Sequence, residues 1–180
     1  MQRQTGFRRS VTALVALAVV ALALPAQAAF VDDPPYARGP LDLKRLIANK
    51  HSAGSPLLLT VVTYGNWKAK LLDVDGPNRI FVLFNPDREG DEDFIGEIFF
   101  RDGGLRMRIT KPNGTFVRAI RAYHPTGHSV HVTVPRGLPN PDGHTWLAAG
   151  EEYTTPDGPC SQTCQDRVPG HGWLKLTPGL

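Results

Sequence analysis

Alternating apolar and polar residues recur in short stretches along most of the chain. Ser129–Pro135 is the clearest, with Val130, Val132 and Val134 expected inside and Ser129, His131 and Thr133 outside. A period of two residues is typical of a strand with one buried face. The pattern predicts nine strands, at Leu41–Asn49, Leu57–Tyr64, Trp67–Leu72, Arg79–Phe84, Phe94–Phe100, Leu105–Lys111, Thr115–Tyr123, Ser129–Pro135 and His144–Tyr153.

Turn-forming residues separate these stretches, since the 180 residues include 18 Gly and 16 Pro. Frequent breaks of this kind favour an all-β fold, and we predict an antiparallel β-sandwich of about eight or nine strands. Arg79–Phe84 is apolar on both faces, so we expect it to be central. The sandwich domain is predicted over residues 41–153, with irregular arms at 29–40 and 154–180.

The first 28 residues have the three-part layout of a secretory signal peptide. A cationic start precedes the apolar run Val11–Leu24, and Pro25 is followed by small residues at Ala26 and Ala28. Cleavage after Ala28 predicts a secreted, extracellular protein without a stable membrane span. An uncleaved anchor is the alternative, although the apolar run is shorter than the roughly 20 residues of a spanning helix. Arg8-Arg9 leaves the twin-arginine route open beside the general one.

The positive charge of the chain lies in this leader. The whole chain has 20 Lys and Arg against 17 Asp and Glu, and three of the arginines lie within its first ten residues. The segment from residue 29 onward is neutral, which argues against a broad basic field and a nucleic-acid partner.

Two cysteines, Cys160 and Cys164, lie close together near the C-terminus. In an oxidising compartment, such a pair favours a disulfide that closes a small loop. A redox or metal pair is the alternative, but the spacing is C-x-x-x-C and there is no second pair to complete a zinc site.

A three-strand meander is the best-defined local feature. Asn113-Gly114 predicts a tight hairpin, which sets Met107 opposite Ile120 and Arg106 opposite Arg121. The outer face of the meander then comprises Glu97, Phe99, Arg106, Arg108, Ala119 and Arg121. Arg118 falls on the inner side, which implies a position at the rim or a bulge that shifts the register.

This outer face is the first candidate binding surface. An exposed Phe99 among Arg106, Arg108 and Arg121 suits an anionic sugar, a polyphosphate or a cell-wall polymer, and Trp173 in the Gly-rich tail is a second exposed aromatic. The alternative is an ordinary solvated face, in which Glu97 pairs an arginine and an arginine stem covers Phe99.

An acidic loop is the candidate metal site. Asp87, Glu89, Asp91 and Asp93 alternate around Gly90, which resembles part of a calcium loop. Flanking helices and a Glu at the twelfth position are missing, and a solvated loop without Ca²⁺ is the alternative.

Standard catalytic motifs are absent from the sequence. There is no G-x-S-x-G, and there is no Gly-rich phosphate loop of standard spacing. We therefore predict a non-catalytic binding or adhesion module for an extracellular glycan or anionic polymer. Two alternatives remain: a small secreted hydrolase whose carboxylates pair only in space, and a structural domain stabilised by calcium.

Several sequence pieces together carry a resemblance. They are Leu41-Asp42-Leu43-Lys44, Leu59–Tyr64 with Trp67, Tyr123-His124-Pro125, and the Cys loop followed by Gln165-Asp166-Arg167-Val168-Pro169. In these the chain resembles a group of uncharacterised bacterial secreted proteins that look like β-sandwiches with a C-terminal disulfide loop. Asn85-Pro86 and Arg88 depart from the more Asp- and Gly-rich loop of that group. The resemblance implies a fold and a compartment, but no activity.

Overall fold

A computed structural model describes residues 27–35, 39–88, 90–137, 139–140, 143, 145–154 and 164–178. The predicted signal peptide lies outside these residues, except for its last two. Within the part of the chain that the structure describes, no helix has the length and hydrophobicity to cross a membrane.

Eleven strands account for most of the described residues. They are β1 (Gln27–Asp32), β2 (Leu43–Lys50), β3 (Leu57–Thr63), β4 (Arg79–Asn85), β5 (Phe94–Arg101), β6 (Gly104–Thr110), β7 (Phe116–Thr126), β8 (Ser129–Val134), β9 (Thr145–Tyr153), β10 (Cys164–Val168) and β11 (Leu174–Leu176). Eight of the nine predicted strands correspond to β2–β9, with ends that agree within three residues.

All strands belong to one antiparallel sheet in the order β1-β2-β3-β8-β7-β6-β5-β4-β9-β10, and β11 also pairs with β9. The sheet curls until it is nearly closed into a barrel. The all-β, antiparallel prediction is therefore confirmed, whereas the two-layer sandwich of eight or nine strands is not. The inner faces of a barrel and of a sandwich show the same alternation, so the pattern alone does not separate them.

The two ends of the sheet meet where β10 approaches β2. The backbone N–H of Leu43 donates a hydrogen bond to Oδ2 of Asp166, 3.1 Å away. β2 and β10 are not paired by backbone hydrogen bonds. The bond from Leu43 to the Asp166 side chain therefore links them in place of a ladder.

The barrel interior is a filled hydrophobic core. The three valines of β8 face inward as predicted, and they pack with the inward residues of the other strands, such as Leu59, Ile80 and Met107. Ser129, expected outside, is buried, and its hydroxyl is 2.6 Å from the hydroxyl of Thr126. β4 is central, as predicted, between β5 and β9.

The predicted strand Trp67–Leu72 is wrong. Ala69–Leu72 form a turn of 3-10 helix instead. Trp67 is buried beside β3, where its indole N–H donates to the Thr63 hydroxyl at 3.1 Å and its backbone N–H donates to the carbonyl of Gly127 at 2.7 Å. The backbone N–H of Trp67 is therefore used by the carbonyl of Gly127, and the side chain is held separately by Thr63.

The predicted irregular arms contain strands at both ends. β1 pairs with β2 from Gln27, so cleavage after Ala28 would remove its first two residues. β10 and β11 pair with successive parts of β9. These strands are short or carry charged and polar residues, so they lack the alternation that reveals a half-buried strand.

Candidate functional site

The predicted register of the β6–β7 hairpin is confirmed in its central part. Met107 lies opposite Ile120, and Arg106 lies opposite Arg121. The turn differs from the simple two-residue loop, because a bulge after Ile109 pairs Thr110 with Phe116. Arg118 stays on the inner side, half-buried at the rim, as one of the two expected outcomes.

Two of the nearby arginines share a single acidic partner. Glu97 accepts a hydrogen bond from Nε of Arg79 at 2.6 Å and also pairs with Arg108. Arg79 further donates to the backbone carbonyls of Asp73 and Val74, at 3.0 and 2.8 Å. These bonds hold the chain before β4 against the sheet, so Arg79 and Arg108 have structural partners.

The exposure expected of Phe99 is wrong. Its side chain is only 8% exposed, and the guanidinium carbon of Arg108 lies 5.8 Å from the centre of its ring. The part of the alternative interpretation in which Glu97 pairs an arginine is confirmed. Phe99 is therefore not available to stack on a ligand.

Arg106 and Arg121 are the exposed cationic part of the outer face. Both are exposed, and neither makes an ion pair with a described residue. They flank a shallow cavity of about 350 Å³ lined by residues 102–106 and 119–121. The one acid of this lining, Asp102, lies 3.8 Å from the guanidinium of Arg101.

An aromatic ring continues this charged surface along β7. Tyr123 is 53% exposed, and the guanidinium carbon of Arg121 lies 5.9 Å from its ring centre. Two directly opposed like charges repel each other in a sheet. An anion held between Arg106 and Arg121 would relieve that repulsion.

Trp173 is not part of this surface. It is half-buried in the loop between β10 and β11, with the guanidinium carbon of Arg167 5.1 Å from its ring centre. Strands β5, β4 and β9 lie between β6 and β10 in the sheet order. The structure brings Arg106 and Arg121 together but leaves Trp173 on another part of the barrel.

The acidic loop after β4 is held by its own chain. The side-chain amide of Asn85 donates to the carbonyls of Gly90 and Asp91, at 3.3 and 2.8 Å. The guanidinium carbon of Arg88 lies 4.4 Å from the ring centre of Trp146. Asp87 and Asp91 are exposed, Asp93 is half-buried, and Glu89 lies outside the described residues. No three His, Cys, Asp or Glu side chains of the described residues are placed to hold a metal ion. The calcium hypothesis stays a prediction.

The cysteine prediction also stays open. Cys164 is half-buried at the start of β10, opposite Tyr153 of β9. Cys160 lies outside the described residues.

Sequence reasoning missed a group of buried carboxyls where the sheet ends meet. Glu151 is 2% exposed and lies directly opposite Asp166. Asp33 and Asp42 are also buried and interact electrostatically with Glu151 or Asp166. The signal was present in the sequence, because Glu151 continues the inward phase of Leu147 and Ala149.

Burial dominates the electrostatics of this group. It raises the pKa of Glu151 to about 8, with further contributions from Asp166 and Asp42. Burial likewise raises the pKa of Asp33 to about 6. Neither oxygen of Glu151 has a hydrogen-bond partner among the described residues. Protonated Glu151 is therefore the form that the folded protein favours at neutral pH.

Glu151 and Asp166 are a close pair of acids of the kind that the hydrolase alternative requires. Glu151 and Asp166 share the inward face with the fully buried Ile80. Asp166 already accepts hydrogen bonds from the N–H groups of Leu43 and Arg167. Of the two acids, Glu151 is almost wholly enclosed and Asp166 is half-buried.

No protein-family model, curated protein or solved structure matches this chain.

Proposed function

We propose that this chain is a secreted, non-catalytic binding domain that holds an anionic glycan or cell-wall polymer through Arg106 and Arg121. The observation that carries the proposal is the directly opposed, exposed pair of arginines without an acidic partner among the described residues. Guanidinium groups bind carboxylate and sulfate oxygens through paired hydrogen bonds. Acidic sugars carry such groups at regular intervals along a polymer.

Tyr123 supports a sugar rather than a simple inorganic anion as the ligand. Its exposed ring lies beside Arg121 on the same strand. A sugar ring has one apolar face, which packs against an aromatic ring while its acidic group reaches a cation. The combination of two free cations and one aromatic suits a short stretch of a polyuronate.

The location of the surface on the strands also favours a binding role. Arg106 and Arg121 are paired with each other at one end of the β6–β7 ladder, so strand pairing positions the backbone that carries them. A rigid surface loses less conformational entropy when it binds an extended polymer.

Binding to polygalacturonate, with its methyl ester as the uncharged counterpart, tests the proposal. We expect the Arg106→Ala/Arg121→Ala variant to lose at least about tenfold in affinity, because hydrogen bonds to charged groups contribute roughly 1.5–3 kcal/mol each. The matched control is Arg108→Ala/Lys111→Ala, which removes two positive charges from the same hairpin but leaves the free pair. Equal affinity of the two double variants, or equal wild-type binding to the ester, would reject this site.

A further inference from the structure

A second cavity lies on the outer face of the sheet at β4, β9 and β10. Its volume is about 480 Å³. Phe81, Gly150 and Arg167 are direct neighbours across the three strands, so they share this outer face. The lining comprises Phe81, Leu83, residues 150–152, residues 165–167 and Gly170. We call this cavity the β9 groove.

The β9 groove exists because Gly150 has no side chain in the middle of a strand. A Cβ atom added there would approach no neighbour more closely than 3.6 Å, and the backbone of Gly150 is not in the left-handed region. The fold therefore does not require glycine here, although glycine weakens a strand interior. The missing side chain leaves the apolar side chains of Phe81 and Leu83 open on the floor.

Planar polar side chains border this floor. The amide of Gln165 donates to the carboxylate of Glu152 at 3.0 Å. Arg167 donates to the carbonyl of Pro169 at 3.2 Å and stacks near Trp173. Because these side chains are held by partners, their remaining polar atoms are ordered before a ligand arrives.

The charge of the β9 groove differs from that of the arginine pair. Its outward charged side chains are one acid, Glu152, and one base, Arg167. Glu151 and Asp166 also line the groove, but the strand alternation places both on the opposite face of the sheet from Gly150 and Arg167. A balanced rim over an apolar floor suits a neutral ligand that has both hydroxyl groups and an apolar face.

We infer that the β9 groove binds a neutral sugar ring of an extracellular oligosaccharide. The ring lies on Phe81, Leu83 and the backbone of Gly150, and its hydroxyls contact Glu152, Gln165 and Arg167. The inference rests on the proposed function for the class of ligand, and it adds a separate, uncharged subsite.

Gly150→Val in the full chain is the main test. Valine fills the floor, and β-branched residues are favoured in strands, so the melting temperature should hold or rise. Cellohexaose and chitohexaose are the probes, followed by tryptophan fluorescence because Trp173 contacts Arg167. We expect the wild type to bind at least one probe, and Gly150→Val to weaken that binding at least about tenfold.

Two further variants keep the result interpretable. Gln165→Ala removes an exposed hydrogen-bonding group and should also weaken binding, even if Gly150→Val fails to fold. Arg106→Ala/Arg121→Ala should bind the neutral hexasaccharides as the wild type does. Failure of the wild type to bind either probe, or wild-type affinity in a folded Gly150→Val or in Gln165→Ala, would overturn the inference. A wild type that binds a neutral hexasaccharide but not polygalacturonate would instead reject the proposed function and leave this inference standing.

Discussion

Individual residues show three ways in which this protein accommodates charge. Glu97 forms ion pairs with both Arg79 and Arg108 at a half-buried position of the outer face. Arg106 and Arg121 are exposed and have no ion-pair partner among the described residues. Glu151 is buried, and its carboxyl has no hydrogen-bond partner in the part of the chain that the structure describes. The ion pairs of Glu97 stabilise the sheet. An anionic ligand would stabilise the arginine pair, and a bound proton stabilises buried Glu151.

The protonation of Glu151 makes the stability of the fold depend on pH. Its pKa is about 8 in the folded protein, above the ordinary value of 4.5. The folded state therefore binds this proton more tightly than the unfolded chain does. The contribution to the free energy of unfolding is complete below pH 4.5 and is lost as the pH rises through 8.

We predict that the wild type loses roughly 3–4 kcal/mol of stability between pH 4.5 and 8. Asp33, whose pKa is raised to about 6, contributes in the same direction at the acidic end of this range. Glu151→Gln cannot ionise, so its stability should fall much less over the range. Thermal unfolding of both proteins from pH 4 to 9 measures the difference. Parallel pH profiles of the two proteins would show that Glu151 is not the group responsible.

At the residue scale, the sequence predicts which residues face each other across a hairpin. It does not predict which side chains form ion pairs between other strands. Asn113-Gly114 fixed the register that sets Arg106 opposite Arg121, because a hairpin links the two strands directly. The choice of Glu97 to pair Arg79 depends on β4 lying beside β5, which no local pattern specifies. For the same reason, the burial of Phe99 could not be derived from alternation.

Among the elements, β3 shows how the connections shape the fold. Gly65 follows this strand, and a Cβ atom added to it would lie 2.6 Å from Cα of Pro40. Gly54 precedes the same strand in the β2–β3 turn, and a Cβ atom there would have nothing within 4 Å. The segment before β2 therefore passes directly against one end of β3.

We predict that Gly65→Ala destabilises the protein by about 1–3 kcal/mol, because backbone must move to admit the methyl group. Gly54→Ala is the matched control. It should be neutral or stabilise the fold by about 0.4–1 kcal/mol through the unfolded state. Urea denaturation of both variants gives the free energies of unfolding. A Gly65→Ala variant as stable as Gly54→Ala would contradict the close approach of Pro40.

Element types were predictable where the alternation is strong. β2–β9, apart from their ends, follow from apolar periodicity and turn residues. The strand prediction for Trp67–Leu72 is wrong because Trp67 bonds to Thr63 through its side chain and to Gly127 through its backbone, and no described strand pairs with this stretch. β10 escaped notice because Gln165, Asp166 and Arg167 give it a polar sequence, although its Asp166 closes the sheet.

For the whole molecule, the sequence predicts the fold class but not the closure of the sheet. An all-β fold follows from the spacing of strands and turns, but whether one sheet curls or two sheets stack depends on where its ends meet. That meeting is made by Asp166 and Leu43, which are 123 residues apart. The overall charge is similarly uninformative about the candidate site, because the arginine pair is a local feature of a neutral segment.

The two proposed ligand sites lie on different parts of the barrel. The arginine pair is on β6 and β7, and the β9 groove is on β4, β9 and β10. A polymer with both acidic and neutral sugars would use both surfaces, while a single short oligosaccharide would select one.

Nuclear magnetic resonance of the arginine side chains tests the central claim most directly. The Nε–Hε signals of Arg79, Arg106, Arg108 and Arg121 are followed while trigalacturonate is added to the wild type. We predict that the signals of Arg106 and Arg121 shift together and saturate, while those of Arg79 and Arg108, held by Glu97, stay in place. Signals of Arg106 and Arg121 that do not move at saturating ligand would contradict the proposed function.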